Sequence, residues 1–155
     1  MIAFADLNTE ILASTLQTAA YDFVIETDGM IYVRSEQVPF WVEIDMPAKK
    51  LILRTHWSIR PDALELPILR FINRCNGFCF SVQFWSDYAL ERFYGAYTVP
   101  VTEGFVSRDF LRAVREFANS FSLAMRLKDV DDVLSDQANG EVDSEAVGIG
   151  ESLIN

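Results

Sequence analysis

The sequence predicts an α+β protein, with an antiparallel sheet of five to six strands and helices mainly on one face. Three observations lead to this fold class. Apolar residues recur at helical spacing in three segments, the stretches between them alternate apolar and polar residues, and the strands fall into hairpins instead of alternating singly with helices. The expected order is therefore α-β-β-β(-β)-α-β-β-α, the bracketed strand being the run at residues 22–27.

The first third of the chain predicts a helix followed by a β-meander. Asn8 precedes an amphipathic segment at residues 9–20, and asparagine is a favoured N-cap. Asp28-Gly29 separates two β-rich runs, which is a strong hairpin signal because glycine accepts a positive φ. Two further strands are expected at residues 40–46 and 51–57.

A second helix is expected within residues 61–76. Its α portion begins as late as Pro67 if that proline occupies the first turn. Gly77 follows the last residue of the periodic apolar pattern, and glycine commonly ends a helix. We therefore expect Gly77 to stop this helix.

The remaining elements are a hairpin and a long helix. Strands are expected at residues 78–85 and 88–98, and Gly104 lies in the loop after them. Ser107 is a suitable N-cap for a third helix with a long apolar stripe.

Strand alternation assigns the side chains to two faces of the sheet. The face expected to meet the helices carries Ile31, Val33, Phe40, Val42, Ile44, Phe80, Val82 and Phe84. The opposite face carries Tyr32, Trp41, Glu43, Ser81, Gln83 and Trp85. Tryptophan and tyrosine beside few charges are typical of interface cores, so Tyr32, Trp41, Gln83 and Trp85 are candidate partner-binding residues. The alternative is that the first helix, the chain ends or a bend of the sheet covers this face.

Charge divides the chain into two parts. The formal net charge is −10, and residues 128–155 hold eight acidic residues and one basic residue. We therefore expect a domain at residues 1–127 and an acidic tail at residues 128–155, helical at its start and then disordered. The negative balance argues against nucleic acid and anionic membranes as partners, because basic charge supplies most of that affinity.

No catalytic constellation is apparent, and we expect no enzyme activity, metal or cofactor. His56 is the sole histidine and has no recognisable nucleophile or orienting carboxylate. Cys75 and Cys79 are either small buried side chains or a redox or metal pair, and the first interpretation suits a reducing cytosol. The N-terminus lacks the basic start and apolar run of a signal peptide, which predicts a cytoplasmic protein.

Arginines recur along one side of the third helix at Arg108, Arg112 and Arg115. They form either an anion-binding stripe or a solvated face with ordinary intrahelical ion pairs. A further hypothesis is that the acidic tail folds back near these arginines or over the aromatic face of the sheet.

The second half of the chain carries a family resemblance. The run from Phe71 to Val82, the hairpin that follows it and the segment from Glu103 to Leu111 resemble the YbjN-type domain, a bacterial family of proposed sensory-transduction regulators. The resemblance covers about residues 7–130 and implies a fold like that of type III secretion chaperones. It implies structural roles for Asn73 and Asn76, which are expected to bond to loop backbone, and we assign Gly77 and Gly104 structural roles as well.

Together these observations favour a non-enzymatic bacterial protein-interaction module, a chaperone-like adaptor or a regulator of signalling or stress response. Its partner is expected to be another protein or a second copy in a homodimer. The alternative function is a small-molecule-sensing domain with an aromatic pocket between sheet and helices. A structural dimer that simply buries its aromatic face is a further option.

Overall fold

The computed structural model describes residues 1–34 and 37–136. Within them one antiparallel sheet of six strands packs against three α-helices, which confirms the α+β class and the order that includes the extra strand. The helices are α1 (Thr9–Thr18), α2 (Glu65–Phe78) and α3 (Ser107–Lys128). The strands are β1 (Asp22–Ile25), β2 (Ile31–Arg34), β3 (Phe40–Asp45), β4 (Lys50–Ser58), β5 (Gln83–Asp87) and β6 (Arg92–Pro100).

The strands lie in the spatial order β1-β2-β3-β4-β6-β5, and all neighbours are antiparallel. The first four strands form a meander. Helix α2 then crosses the sheet, and the second hairpin returns with β6 beside β4. This leaves β1 and β5 as the two edge strands.

The core lies between the helices and one face of the sheet, which we call the inner face. Phe40 of β3 meets Phe117 of α3 edge to face, with 5.6 Å between ring centroids. The ring of Phe121 lies directly over Gly95 of β6, where a Cβ atom would be only 2.5 Å from it. Glycine at this position therefore lets α3 pack close to the centre of the sheet.

The beginning of the chain folds as its sequence predicts. The Asn8 side chain accepts a hydrogen bond from the Ile11 amide at 3.0 Å and caps α1. Gly29 has φ +86° in the turn between β1 and β2, a conformation that costs glycine little. Both the cap and the Asp-Gly hairpin are confirmed.

Helix α2 ends later than predicted. It runs through Gly77 to Phe78, and nothing lies within 4 Å of the Cβ that Gly77 lacks. The Lys128 ammonium lies 4.5 Å from the centre of the Phe78 ring, so the last turn packs against the end of α3. The prediction that Gly77 stops the helix was wrong, because tertiary contact extends the helix past the local signal.

The second hairpin is shorter and later than predicted. Strand β5 begins at Gln83, so Phe80 falls in a connection and is 95% exposed instead of facing the helices. Val82 is buried as expected, although it precedes the strand. The turn occupies residues 88–91, where the Leu90 amide donates to the Asp87 carboxylate at 3.1 Å.

The loop before α3 is closed by the N-terminal residues. Ile2 and Phe105 exchange two main-chain hydrogen bonds of 2.9 and 2.7 Å. Gly104 has φ +126°, and a Cβ there would lie 2.7 Å from the Ile2 carbonyl oxygen, so this close approach requires glycine. Helix α3 begins at Ser107 with Val106 as the N-cap residue, so the predicted serine cap is wrong.

The chain after α3 does not prolong the helix. Residues 129–135, which we call the strap, turn back and pack against the domain, and Leu134 forms a β-bridge with Ile59 beyond β4. Val133 and Leu134 are 1% and 8% exposed and belong to the core. Residues 137–155 lie outside the described residues, as do the expectations of disorder there and of docking over the arginines or the aromatic face.

Candidate interaction face

The outer face of the sheet, opposite the helices, carries a continuous row of ring side chains. Neighbouring ring centroids along it are 4.9, 5.3, 5.7 and 5.3 Å apart. The row crosses five strands and consists of Tyr32, Trp41, His56, Tyr94 and Trp85. We call these five residues the aromatic row.

The register of the strands produces the row. Tyr94 of β6 lies directly opposite both His56 of β4 and Trp85 of β5. Trp41 lies opposite Arg54, so it reaches His56 diagonally across two residues of β4. The Trp41 and His56 rings are nearly parallel, at an interplanar angle of 9°.

Polar contacts fix one end of the row. The Trp41 indole nitrogen donates to the Glu26 carboxylate at 3.2 Å. Burial raises the pKa of the Tyr32 hydroxyl above its ordinary value, Arg34 offsets part of this rise, and Glu26 adds to it. The Tyr32 hydroxyl is therefore neutral at physiological pH. The hydrogen bond to Glu26 holds the Trp41 ring in one orientation.

The charges beside the row largely neutralise each other. An Arg54 nitrogen lies 2.9 Å from a Glu43 oxygen, and the same nitrogen is 3.5 Å from the Met30 sulfur. Trp85, at the opposite end of the row, is 39% exposed. The outer face thus combines half-exposed rings with an arginine and a glutamate that pair with each other. This composition favours contact with a moderately apolar partner.

The structure brings most of the predicted residues together. Tyr32, Trp41 and Trp85 lie in the row, and Gln83 is exposed two residues from Trp85 on the same face. Ser81, which the alternation assigned to this face, lies in the connection before β5. Binding of a partner by these residues stays a prediction.

Two members of the row, His56 and Tyr94, are not among the binding residues that the sequence predicts. His56 is notable in the sequence only as the sole histidine, and Tyr94 belongs to a segment in which aromatic residues alternate to both faces of the strand. Alternation along β4 and β6 signals that each points outward. Their contact with one another depends on β6 lying beside β4, which the sequence order does not reveal.

Phenylalanine rings fill the centre of the space between sheet and helices. Phe93 lies at the centre, with ring centroids 4.7 Å from Phe71, 5.6 Å from Phe84 and 5.3 Å from Phe121. All four side chains are buried. The protein's own core therefore occupies this centre, where an aromatic pocket was expected. A cleft of about 690 Å³ lies nearer the sheet edge, between β1, β2 and α3, and Tyr21 is the one aromatic residue among the described residues that line it.

One edge of the sheet is closed by a side chain. The Phe84 amide donates to the Asn76 side-chain oxygen at 2.9 Å, and the Asn76 amide nitrogen donates to the Phe84 carbonyl at 3.0 Å. Asn76 thus takes the place of a neighbouring strand on β5. Asn73, one turn earlier, is exposed and forms no side-chain hydrogen bond to the described part of the chain.

No strand of residues 1–34 or 37–136 pairs with the other edge of the sheet. The Glu26 amide donates to the Met30 carbonyl at 2.8 Å, which marks this pair as hydrogen-bonded across the first hairpin. Antiparallel pairs alternate, so the main-chain groups of Phe23 and Ile25 on β1 point away from β2. Ile25 is 47% exposed. This edge can pair with an added strand.

The two cysteines differ in environment, and both are free thiols. Burial raises the pKa of the Cys75 thiol to about 12. Burial also acts to raise the pKa of Cys79, but hydrogen bonds from Ser81, Val82 and Ser120 outweigh it and leave that pKa below its ordinary value. Cys75 is therefore an unreactive core residue, because its thiol stays protonated, and Cys79 is the more reactive thiol.

The arginine stripe of α3 is solvent-exposed. Arg108 and Arg112 lie 3.8 and 3.7 Å from the Asp109 carboxylate, as expected of a solvated helix face. Within residues 1–34 and 37–136, no group of three or more His, Cys, Asp or Glu side chains is arranged to hold a metal ion. Across the same residues, no helix combines the length and apolar character needed to cross a membrane.

A scan against protein-family models gives no match, and neither does a search of the curated proteins. Solved structures, in contrast, share the fold. YbjN from E. coli, a proposed transcription regulator, superposes with a TM-score of 0.72 at 14% sequence identity, covering 87% of this chain and 99% of that one.

Two further similar structures are complexes of a protein with a protein. The HopA1-SchA chaperone-effector complex matches with a TM-score of 0.54 at 12% identity, over 76% of this chain and 91% of that chain. The ExsC-ExsE complex matches with a TM-score of 0.59 at 16% identity, over 79% of this chain and 96% of that one. The fold of this protein is therefore YbjN-type and chaperone-like.

Proposed function

We propose that this protein is a non-enzymatic bacterial protein-interaction module, a chaperone-like adaptor or regulator in signalling or stress response. It holds a segment of a partner protein on the outer face of its sheet. The observation that carries the proposal is the aromatic row, which crosses five strands without a helix above it in the described part of the chain.

Ring side chains suit this role because they bury a large area at a small cost in side-chain entropy. The rings here restrain one another, and Trp41 is further held by its bond to Glu26. A partner that covers the row therefore meets a surface already ordered, which lowers the entropic cost of binding. The paired charges of Arg54 and Glu43 give the rim polar contacts.

The two sheet edges support an extended partner segment. Asn76 closes β5, whereas on β1 the main-chain groups of Phe23 and Ile25 point away from β2 and pair with no strand in the described part of the chain. A segment that adds to β1 continues the sheet at the end of the row that begins with Tyr32, and Val24 of β1 then lies between the segment and that ring. Two proteins of similar fold are known as complexes with another protein, which also favours this function.

We further propose that the module acts in the cytoplasm and that it forms a homodimer when its partner is absent. Covering the outer face with a second copy would remove the half-exposed rings from water, which is favourable. The formal net charge of −10 favours a protein partner over nucleic acid or an anionic membrane.

Site-specific photo-crosslinking in bacterial cells tests the proposal. A benzophenone side chain at position 85 places the reactive group at the exposed end of the row, and the same group at Leu66, exposed on α2, is the matched control. We expect discrete adducts at position 85, either with a second protein or at the mass of a dimer, and fewer or none at position 66. Equal adduct patterns at both positions contradict the proposed face.

A further inference from the structure

The strap forms a second set of contacts, separate from the aromatic row, at the far end of β4. Its main chain joins the sheet: the Arg60 amide donates to the Val133 carbonyl at 2.9 Å, and the Ser135 amide donates to the Ser58 carbonyl at 3.0 Å. The Trp57 indole nitrogen donates to the Ser135 carbonyl at 2.7 Å. The strap thus binds as a short added strand.

Its side chains fit matched sites on the domain. An Asp131 oxygen lies 2.7 Å from an Arg74 nitrogen, and Asp132 pairs with Arg60. Val133 and Leu134 then enter the core. The strap thus presents two acidic residues that pair with two arginines, followed by two aliphatic residues that fill one apolar site.

The strap does not fill all of the surface beside it, so a longer partner segment could make further contacts there. A cleft of about 210 Å³ lies between the strap and the start of α2. Leu64, at the edge of this cleft, is 70% exposed. A partner segment could cover Leu64 in addition to the contacts that the strap makes.

The strap makes a tight turn before it reaches the core. Asp132 has φ +53°, a left-handed conformation that aspartate tolerates better than most residues with a Cβ, and the Asp129 carboxylate accepts hydrogen bonds from the Val133 and Leu134 amides at 2.8 and 3.0 Å. The chain makes this turn on its way back from the end of α3. A segment from another protein is not tied to α3 and need not make this turn.

We propose that the strap is a built-in ligand of a peptide groove formed by Arg60, Arg74 and the end of β4. The groove's external partner is an extended segment in which two acidic residues precede two aliphatic ones. Such a segment displaces the strap. Its apparent affinity is therefore its affinity for the open groove, reduced by the free energy needed to open the strap.

Native-state hydrogen exchange on the full chain tests whether the strap opens by itself. The Ser135 and Arg60 amides report on the strap, and amides near Phe117 in α3 report on the core. We expect exchange in the strap to be faster by about a hundredfold or more, because a local opening suffices. Equal exchange in strap and core means that the strap opens only with the whole domain, and this overturns the proposal.

Binding in trans tests the groove. The probe is the synthetic peptide Lys-Asp-Val-Asp-Asp-Val-Leu-Ser-Asp, which copies residues 128–136. The full chain carrying Asp131→Asn, which weakens the internal ligand without touching the core, should bind the peptide about threefold more tightly than the unmodified chain, because a partly exposed ion pair contributes less than about 1 kcal/mol. Adding Arg74→Gln should remove that binding, whereas Arg112→Gln on the exposed face of α3 should not.

The peptide with asparagine in place of both central aspartates should bind more weakly than the original. Two results together support recognition of aspartate side chains by the groove. One is weaker binding of the asparagine peptide, and the other is loss of binding of the original peptide when Arg74→Gln is added. A strap that opens while the Asp131→Asn chain binds neither peptide overturns the proposal. Because the aromatic row is untouched, that result leaves the proposed outer-face function intact.

Discussion

The side-chain amide of Asn76 hydrogen-bonds both main-chain polar groups of Phe84, at 2.9 and 3.0 Å. A residue near the end of a helix thereby closes the edge of the sheet and fixes α2 on β5. Edge strands with free main-chain groups invite unwanted pairing, and this contact removes that risk at one edge. Among the described residues, β1 is the edge that no strand or side chain closes in this way, and it lies at the end of the aromatic row that begins with Tyr32.

Replacing Asn76 with alanine should therefore destabilise the fold. The change leaves the Phe84 amide and carbonyl without their partner, which costs about 1–3 kcal/mol of unfolding free energy. Urea denaturation measures the loss, and Asn73→Ala, which alters the same residue type on the exposed side of the helix, is the matched control. Equal stability of the two variants contradicts a structural role for the Asn76–Phe84 pair.

Two glycine-to-alanine changes should have opposite effects. Gly95→Ala places a methyl group 2.5 Å from the Phe121 ring, and such overpacking typically costs about 1–3 kcal/mol. Gly77→Ala meets nothing within 4 Å and replaces a helical glycine, which should stabilise by about 0.5–1 kcal/mol. Thermal unfolding of both variants shows whether each change raises or lowers the melting temperature. A higher melting temperature for Gly95→Ala would contradict the close packing of Phe121 on Gly95.

Trp85→Ser should separate binding from stability. The side chain is 39% exposed at the end of the row, so its loss should cost about 1 kcal/mol of unfolding free energy or less. If the outer face is the dimer contact, light scattering should show a shift toward monomer for this variant. Leu66→Ser, an exposed change on α2, should leave the mass unchanged. A loss of dimer in both variants would point to a different interface.

The two thiols should react at different rates. Cys79 has a pKa below its ordinary value, so it carries more thiolate near neutral pH, whereas Cys75 is buried and its pKa is about 12. We expect one thiol to react with a disulfide reagent in the native protein and the second only after unfolding. Cys79→Ser should abolish the fast phase, and Cys75→Ser should leave it in place.

The raised pKa of Cys75 also predicts a pH dependence of stability. The folded state keeps the proton up to about pH 12, whereas the unfolded chain loses it near the ordinary value of 9.0. Stability is therefore retained below pH 9 and falls as pH rises toward 12. Denaturation in this window should show a steeper fall for the natural chain than for Cys75→Ala, and parallel curves would contradict the assignment to Cys75.

The boundary of the domain can be tested by truncation. A chain ending at residue 136 keeps the strap, whereas one ending at residue 128 loses the buried Val133 and Leu134 side chains. Burial of each such side chain contributes about 1.5–3 kcal/mol, so the shorter chain should be several kcal/mol less stable. Urea midpoints compare both with the full chain, and equal midpoints for the two truncations would show that the strap adds nothing.

The elements that have local causes can be predicted from the sequence. The Asn8 cap, the Asp28-Gly29 hairpin and the apolar stripe of α3 depend on neighbouring residues, and each appears in the structure as expected. Alternation within single strands likewise placed Tyr32 and Trp41 on the outer face, because successive side chains of a strand point to opposite sides.

The remaining features depend on contacts between residues that are distant in the sequence. Helix α2 runs past Gly77 because Phe78 packs beneath Lys128, and the strap turns back because Val133 and Leu134 find a site in the core. The aromatic row likewise exists because β6 pairs with β4, which sets Tyr94 between His56 and Trp85. Residue types and spacing along the chain specify which face a ring occupies, whereas strand order and register specify which rings meet.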